Sequence, residues 1–270
     1  MSNPDQQFVG SIPNNYERYM VPMIFEPYAR DIAERVSKLK PHNILETAAG
    51  TGVVTAALAK TLSVGETMVA TDLNPAMLDI AKIAVTHKAV SFQQADATTL
   101  PFADESFDVV VCQFGVMFFP DKIKGFKEAL RVLCKGGTFV FNVWDSIEFN
   151  EIAAIVNASL AGLFPENPPT FMARIPHGYN DIDTIQITLK VAGFETVTSE
   201  TLAKRSLAPS AKEAATGYCQ GTPMRGEIDA RDANKLELAT YLAERAIVEK
   251  FGTGQIDAHM QAIVFTATKP

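Results

Sequence analysis

Three acids and a pair of closely spaced glycines carry the first chemical signal in this chain. Glu46 lies in the short apolar run Asn43–Thr47, and Gly50 and Gly52 follow it as a Gly-x-Gly turn leading into an apolar helical segment. Glycine at such a turn lets the backbone bend sharply and lets a ligand approach where a Cβ would otherwise stand. Asp72 lies twenty residues past Gly52, after the apolar run Thr67–Thr71, and Asp96 follows a third run, Ala89–Gln94. A carboxylate at Asp72 can accept both hydroxyls of a ribose, with Leu73 against the base. Asp96 is placed to accept a hydrogen bond from an adenine amino group, with the Ala97 backbone N–H beside it.

Two nucleotide-type ligands compete for this pattern. A dinucleotide fingerprint wants a third glycine three residues after Gly52, where this chain has Thr55. It also wants no anion facing a pyrophosphate, whereas Glu46 supplies one. That carboxylate suits a ligand with an ammonium group and no phosphate, such as the methionine end of S-adenosylmethionine. The phosphate-binding Gly-Lys-Ser/Thr pattern does not follow the turn. Further along, Gln113 and Phe114 follow the run Phe107–Cys112, at the mouth where a reactive group would emerge.

Candidates for acceptor chemistry are fewer. Of the histidines, His177, just after the first insertion, is a weak candidate for a general base and His87, after a surface helix, a weaker one; Trp144 and Asp145 stand at the end of the fifth apolar run. Arg225, in the turn Gln220–Gly226, can receive an anionic group. Tyr16 and Tyr19 share one face at helical spacing. The four histidines are dispersed, and Cys112, Cys134 and Cys219 lack metal-ligand spacing, so no metal is implied.

These residues need elements to hold them. Apolar spacing predicts a helix over Phe25–Leu39, closed by Pro41. Strands are expected at Asn43–Thr47, Thr67–Thr71, Ala89–Gln94, Phe107–Cys112 and Gly137–Trp144, with helices at Thr51–Leu62, Pro75–Val85 and Lys122–Leu133 between them. Asn74-Pro75 is a helix start, with Asn as N-cap and Pro in the first turn. Such alternation implies a parallel sheet covered on both faces, with ligands at the carboxyl ends of the strands. Leu130–Gly137 reads as a helix stop with paired glycines. Beyond Asp145 the rhythm breaks, and a helix at Asp181–Ala192, a strand at Phe194–Leu202, helices within Ser210–Lys250 and a last strand at Met260–Thr268 follow.

Taken together, Glu46–Gly52, Asp72–Met77, Asp96–Phe102, Phe107–Asp121 and Leu130–Gly137 resemble the class I S-adenosylmethionine-dependent methyltransferases, in particular the small-molecule group that includes the ubiquinone and menaquinone biosynthesis methyltransferases. Cys134 stands where that family often has proline. The resemblance implies an α/β fold: a Rossmann-like doubly wound seven-stranded sheet, mostly parallel with one antiparallel strand, plus helical cap insertions. It implies a single domain over 1–270, a cofactor-binding core at 41–144, and cap or substrate insertions at 146–178 and 208–252. It places S-adenosyl-L-methionine, and its product S-adenosyl-L-homocysteine, at Glu46, Gly50, Gly52, Asp72, Leu73, Met77, Asp96, Ala97, Gln113 and Phe114. In related enzymes an amino-terminal segment folds over the cofactor, which puts Tyr19 within reach of the methionine carboxylate; the resemblance carries over no substrate, and Tyr16, Trp144, His177 and Arg225 are candidates for the substrate side by their place in the chain alone.

The totals fit a small-molecule enzyme. The net charge of −7, from 31 acids against 24 bases, disfavours nucleic acid and anionic membranes as partners. The start Met1–Gln7 lacks a basic region followed by an apolar one, and no apolar stretch is long enough to span a bilayer. A cytoplasmic protein without a membrane anchor is expected. A nicotinamide-dependent oxidoreductase and a non-catalytic S-adenosylmethionine-binding module are the alternatives.

Overall fold

The computed structural model describes Asp5, Phe8 and residues 10–270; the rest of Met1–Gln7, the stretch expected not to be a secretory signal, lies outside the described residues. Ahead of the first strand come a short turn α1 (Ile12–Asn15), a ten-residue π-helical stretch (Tyr16–Phe25) and α2 (Glu26–Leu39). Strand and helix then alternate: β1 (Asn43–Glu46), α3 (Val53–Ala59), β2 (Thr67–Asp72), α4 (Pro75–Ala84), β3 (Val90–Gln94), β4 (Phe107–Gln113), α5 (Lys122–Val132) and β5 (Leu133–Trp144). Three helices, α6 (Glu151–Leu163), α7 (Phe171–Arg174) and α8 (Ile182–Ala192), precede β6 (Thr196–Ala208). Three more, α9 (Ala211–Gln220), α10 (Met224–Asp232) and α11 (Leu236–Phe251), precede β7 (Ile256–Thr268).

The seven strands form one sheet in the order β3-β2-β1-β4-β5-β7-β6. The pairings among β1 to β5 are parallel. β7 runs the other way: Gly136 N–H donates to the Lys269 carbonyl and Asp145 N–H to the Gln261 carbonyl, so partner numbers descend as β5 ascends. The mostly parallel sheet with one antiparallel strand expected from the resemblance is therefore present. Strand order reverses between β1 and β4, the place where an open α/β sheet leaves a crevice for a ligand.

The chain divides into two compact units. The core unit comprises Tyr28–Val143, Asn180–Leu202 and Ala262–Pro270; the insertion unit comprises Met1–Pro27, Trp144–Tyr179 and Ala203–Gln261. In the core unit, side-chain alternation along the strands serves two faces. Ile44, Met68, Val109, Val111 and Val140 meet Ala29, Ile32 and Val36 of α2 and Val54 and Leu58 of α3. Phe139 and Phe141 point the other way, into an aromatic cluster with Phe126 of α5, Phe194 and Phe265. In the insertion unit α9 approaches the π-helical stretch closely at Gly217, where a Cβ would stand 2.8 Å from Met20 Sδ.

Several boundaries differ from the sequence expectations for identifiable reasons. The helix expected from Phe25 starts at Glu26, because Phe25 ends the π-helical stretch, within which Pro22 contributes no N–H. β5 starts at Leu133 rather than Gly137. The paired glycines sit inside this strand as an irregularity, not as a helix stop: Gly136 takes φ 74° and the register with β4 shifts between Phe107 and Val109. β6 and β7 run longer than expected, and the added residues 203–208 and 256–259 alternate between more and less buried positions, as a strand with one covered face requires.

Candidate functional site

In the core unit β1 delivers Glu46 to the sheet crevice, 1% exposed. The Thr55 hydroxyl donates to its carboxylate at 2.6 Å. Thr55 occupies the place of the missing third glycine, and its hydrogen bond fixes the orientation of the acid. Burial pushes the Glu46 carboxyl up to about 8, the Thr55 hydrogen bond opposes this, and the nearby Asp72 adds to it. A buried acid held this high is one that a bound cation would stabilise strongly.

The turn after β1 is held in an unusual conformation. Ala48, Gly50 and Gly52 all have positive φ, at 53°, 57° and 90°. For Ala48 this left-handed geometry costs roughly 1–2 kcal/mol, and strain of this kind clusters at ligand sites. What holds the turn is the end of β2: Ala49 N–H donates to the Thr71 carbonyl at 2.9 Å and Gly50 N–H to Asp72 at 2.8 Å. The other Asp72 oxygen accepts from Asn74 N–H at 2.8 Å. Burial raises the Asp72 carboxyl, and these two backbone bonds oppose the shift. Gly52 also serves packing, since a Cβ there would lie 3.0 Å from the Ala81 Cβ of α4. Met77 is buried on that helix, and Leu73 is 46% exposed beside Asp72.

Across the crevice, β4 ends in Gln113, which is buried, and Phe114, which takes φ 49°. The Phe114 N–H is shared by the Asn142 side-chain oxygen at 2.9 Å and the Asn142 carbonyl at 3.2 Å. Its ring is 6% exposed and packs edge-on against Tyr28 at 5.3 Å. Gly115 lets the loops after β1 and β4 touch: a Cβ there would fall 2.5 Å from the Ala48 Cβ and 2.6 Å from Cys112 Sγ. Burial pushes the Cys112 thiol up to about 12, the state of an inert structural cysteine. At the end of β3, Asp96 is exposed and its Oδ1 accepts from both the N–H and the hydroxyl of Thr98, at 2.8 Å each, which fixes the loop carrying Ala97.

The structure thus gathers Glu46, Gly50, Gly52, Asp72, Gln113 and Phe114 around one crevice of the core unit. Tyr16, Tyr19, Trp144, His177 and Arg225 belong to the insertion unit. There Tyr16 stacks on Phe25 at 4.9 Å, Phe25 lies 6.0 Å from Trp144, and Trp144 lies 6.0 Å from the His177 ring. The Arg18 guanidinium covers the Tyr19 ring at 5.1 Å. Arg225 bonds the Ser11 hydroxyl and lies 3.5 Å from Asp229, so groups of the protein already face its charge. His177 is buried, with Nδ1 2.8 Å from the Asp145 carbonyl, and burial pushes it down to about 4. Reading the sequence missed Thr55, Ala48 and Asn142. Thr55 was visible as a departure from a motif; Ala48 and Asn142 act through backbone geometry that no residue pattern signals.

The donor set fits an adenosyl ligand bearing a cation. One buried, one half-buried and one exposed acid stand at the ends of adjacent strands, and the loops Thr47–Gly52, Asp72–Asn74 and Ala95–Thr98 contain no Lys or Arg to receive phosphate.

Comparison with known proteins agrees with this geometry. Residues 45–141 match the family model of a methyltransferase domain. A demethylmenaquinone methyltransferase of Clavibacter sepedonicus is 33% identical over 172 residues, which are 60% of this chain and 69% of that protein. An uncharacterised protein of Mycobacterium tuberculosis is 30% identical over 164 residues, 57% of this chain, and the chain spans 59% of that relative's length. The solved structure of phosphoethanolamine N-methyltransferase 2 from Haemonchus contortus, in complex with S-adenosyl-L-methionine, shares the fold with a TM-score of 0.60 at 17% identity, covering 100% of this chain and 60% of that one. With the crevice residues inside the matched segment, the chain belongs to the class I S-adenosylmethionine-dependent methyltransferase family, and within it is similar to the ubiquinone/menaquinone biosynthesis group.

Proposed function

We propose that the protein transfers a methyl group from S-adenosylmethionine to a small-molecule acceptor, releasing S-adenosylhomocysteine. The observation that carries this reading is Glu46: a buried carboxylate at the end of β1, raised to about 8 and oriented by Thr55, that invites a cation rather than a phosphate. In this reading Glu46 holds the ammonium of the methionine end and Asp72 accepts the ribose hydroxyls. Leu73 lies against the adenine, Asp96 and the Ala97 N–H read its edge, and Gln113 and Phe114 border the methyl. Gly50 and Gly52 admit the ligand to the backbone, and Met77 backs the loop from α4.

When bound, the cofactor supplies a methyl group already made electrophilic by its sulfonium. The work left to the chain is to align the acceptor atom with that methyl and exclude water, and pre-orientation alone can contribute up to roughly 7–11 kcal/mol. We assign acceptor recognition to the insertion unit, through Tyr16, Trp144 and His177. The names of two relatives, for demethylmenaquinone and for ubiquinone/menaquinone biosynthesis, put quinol-type rings first among acceptors to try. No described helix is long and apolar enough to cross a membrane, and we propose a cytoplasmic location.

The test is incubation with methyl-labelled S-adenosylmethionine and a panel of quinol, hydroxyl, amine and thiol acceptors, following S-adenosylhomocysteine. Acceptor-dependent release supports the assignment. Cofactor binding without release on any acceptor class would favour a non-catalytic module, and binding of NADH alone would favour an oxidoreductase.

A further inference from the structure

Helices α6 and α11 of the insertion unit are apolar on more sides than their packing uses. α6 buries Ile152, Ala153, Val156 and Leu160, yet no charged residue follows Glu151 anywhere in Ile152–Leu163. On its outer side Ala158 and Gly162 are exposed. α11 buries Ala239, Thr240, Ala243 and Ile247, while on its opposite side Leu238 and Tyr241 stand 45% and 55% exposed. A surface helix turns a polar face to water, and one that is apolar all round is normally covered. Between the two helices runs a groove of about 620 Å³, with Gly162, Leu163, Leu242, Arg245, Ala246 and Glu249 among the residues that line it. Arg245 and Glu249 stand one turn apart on the exposed side of α11. Among the described residues neither has an ion-pair partner, whereas Lys250 of the same helix pairs with Glu151 at 2.8 Å. They are not paired with each other either; a cation one turn ahead of an anion is the weaker order on a helix.

We propose that a second copy of the chain docks on this face, with the two α11 helices antiparallel across a two-fold axis and Arg245 of each copy paired with Glu249 of the partner subunit. A two-fold contact joins one surface to itself, so that surface has to be self-complementary. A face carrying one charge of each sign on an apolar ground meets that condition. A uniformly basic or uniformly acidic partner would instead leave Arg245 or Glu249 beside its own sign. Docking covers Leu238 and Tyr241, and the uncharged outer side of α6 gives the partner helix a surface without a charge to desolvate. The inference goes beyond the methyl-transfer reading and does not depend on it, because both helices belong to the insertion unit and no cofactor enters the argument.

Sedimentation velocity on the full-length protein at micromolar concentrations reads the outcome, and a reversible dimer is expected. A Cβ at Gly162 would meet nothing within 4 Å, so Gly162→Gln fits the single chain. Its side chain stands in the contact, and it should weaken the dimer on the order of tenfold. Arg245→Glu and Glu249→Arg each set like charges across the axis and should each weaken it by roughly tenfold, while the double reversal should restore it. A monomer at all concentrations up to about 100 µM would overturn the interface. So would a dimer unaffected by Gly162→Gln in protein with wild-type circular dichroism. A double reversal no nearer to wild type than the single ones would overturn the pairing across the axis. A monomer that co-sediments with phosphatidylcholine vesicles would give the face to a membrane and overturn the second copy as its occupant.

Discussion

The Gly50 N–H donates to the Asp72 carboxylate at 2.8 Å, tying the turn after β1 to the end of β2. The acid expected to hold a ribose therefore also builds the loop that the ribose would approach. Asp72→Ala removes a charged acceptor from two backbone donors, Gly50 and Asn74. It should lower the unfolding free energy by about 2 kcal/mol and S-adenosylmethionine affinity by more than tenfold. Asp72→Asn should recover part of the stability and little of the affinity. Urea denaturation and calorimetry separate the two effects; unchanged affinity in Asp72→Ala would mean that the ribose assignment is wrong.

Glu46 predicts a pH-dependent affinity. Its folded-state value, about 8, lies above the ordinary 4.5. The folded protein therefore holds the extra proton between those values, and stability falls as pH rises through that window. A cation bound beside Glu46 favours the charged form, so binding releases the proton. Affinity for S-adenosylmethionine should rise roughly tenfold from pH 6.5 to 8, and Glu46→Gln should flatten the profile while weakening binding at pH 8. A pH-independent wild-type affinity would show that no cation sits at Glu46.

Gly52 and Gly65 offer an internal control on packing. Both have positive φ, 90° and 91°, but a Cβ at Gly52 would lie 3.0 Å from the Ala81 Cβ while one at Gly65 meets nothing within 4 Å. Each alanine substitution should cost about 1 kcal/mol for the backbone, and Gly52→Ala about 1 kcal/mol more for the displaced α4 contact. Equal urea midpoints for the two variants would remove the packing role given to Gly52.

His177 should make the fold acid-sensitive. Burial lowers it from 6.5 to about 4, so the stability it carries is complete above pH 6.5 and is lost as pH falls towards 4. The full shift corresponds to at most about 3 kcal/mol. Unfolding midpoints recorded between pH 7 and 4 should show this slope in the wild type and lose most of it in His177→Gln. A slope that survives the substitution would point to other groups.

The first five strands, the helices between them and the order of the acids were legible because short apolar runs, glycines and Asn74-Pro75 are local signals. The N-cap was correct in detail: Asn74 Oδ1 accepts from Ala76 N–H at 3.0 Å. What stayed hidden depends on contacts far apart in sequence. Thr55 serves Glu46 across a turn, and Asn142 holds the Phe114 backbone from the neighbouring strand. The paired glycines at 136–137 are ambiguous locally, and only pairing with β4 and β7 makes them part of a strand. Arg225 and His177 stand out in the sequence by residue type and by place, in a turn between two helices and just after the first insertion. The structure gives the arginine's charge to Asp229 and Ser11, and sets the histidine's Nδ1 against the Asp145 carbonyl.

The central claim is the identity of the ligand at Glu46 and Asp72. Calorimetric titration of the purified protein with S-adenosylmethionine and S-adenosylhomocysteine, with NADH as control, tests it most directly. Micromolar binding of the first two and none of NADH is predicted. Binding of NADH alone would contradict the account and leave Glu46 as a buried acid without a ligand.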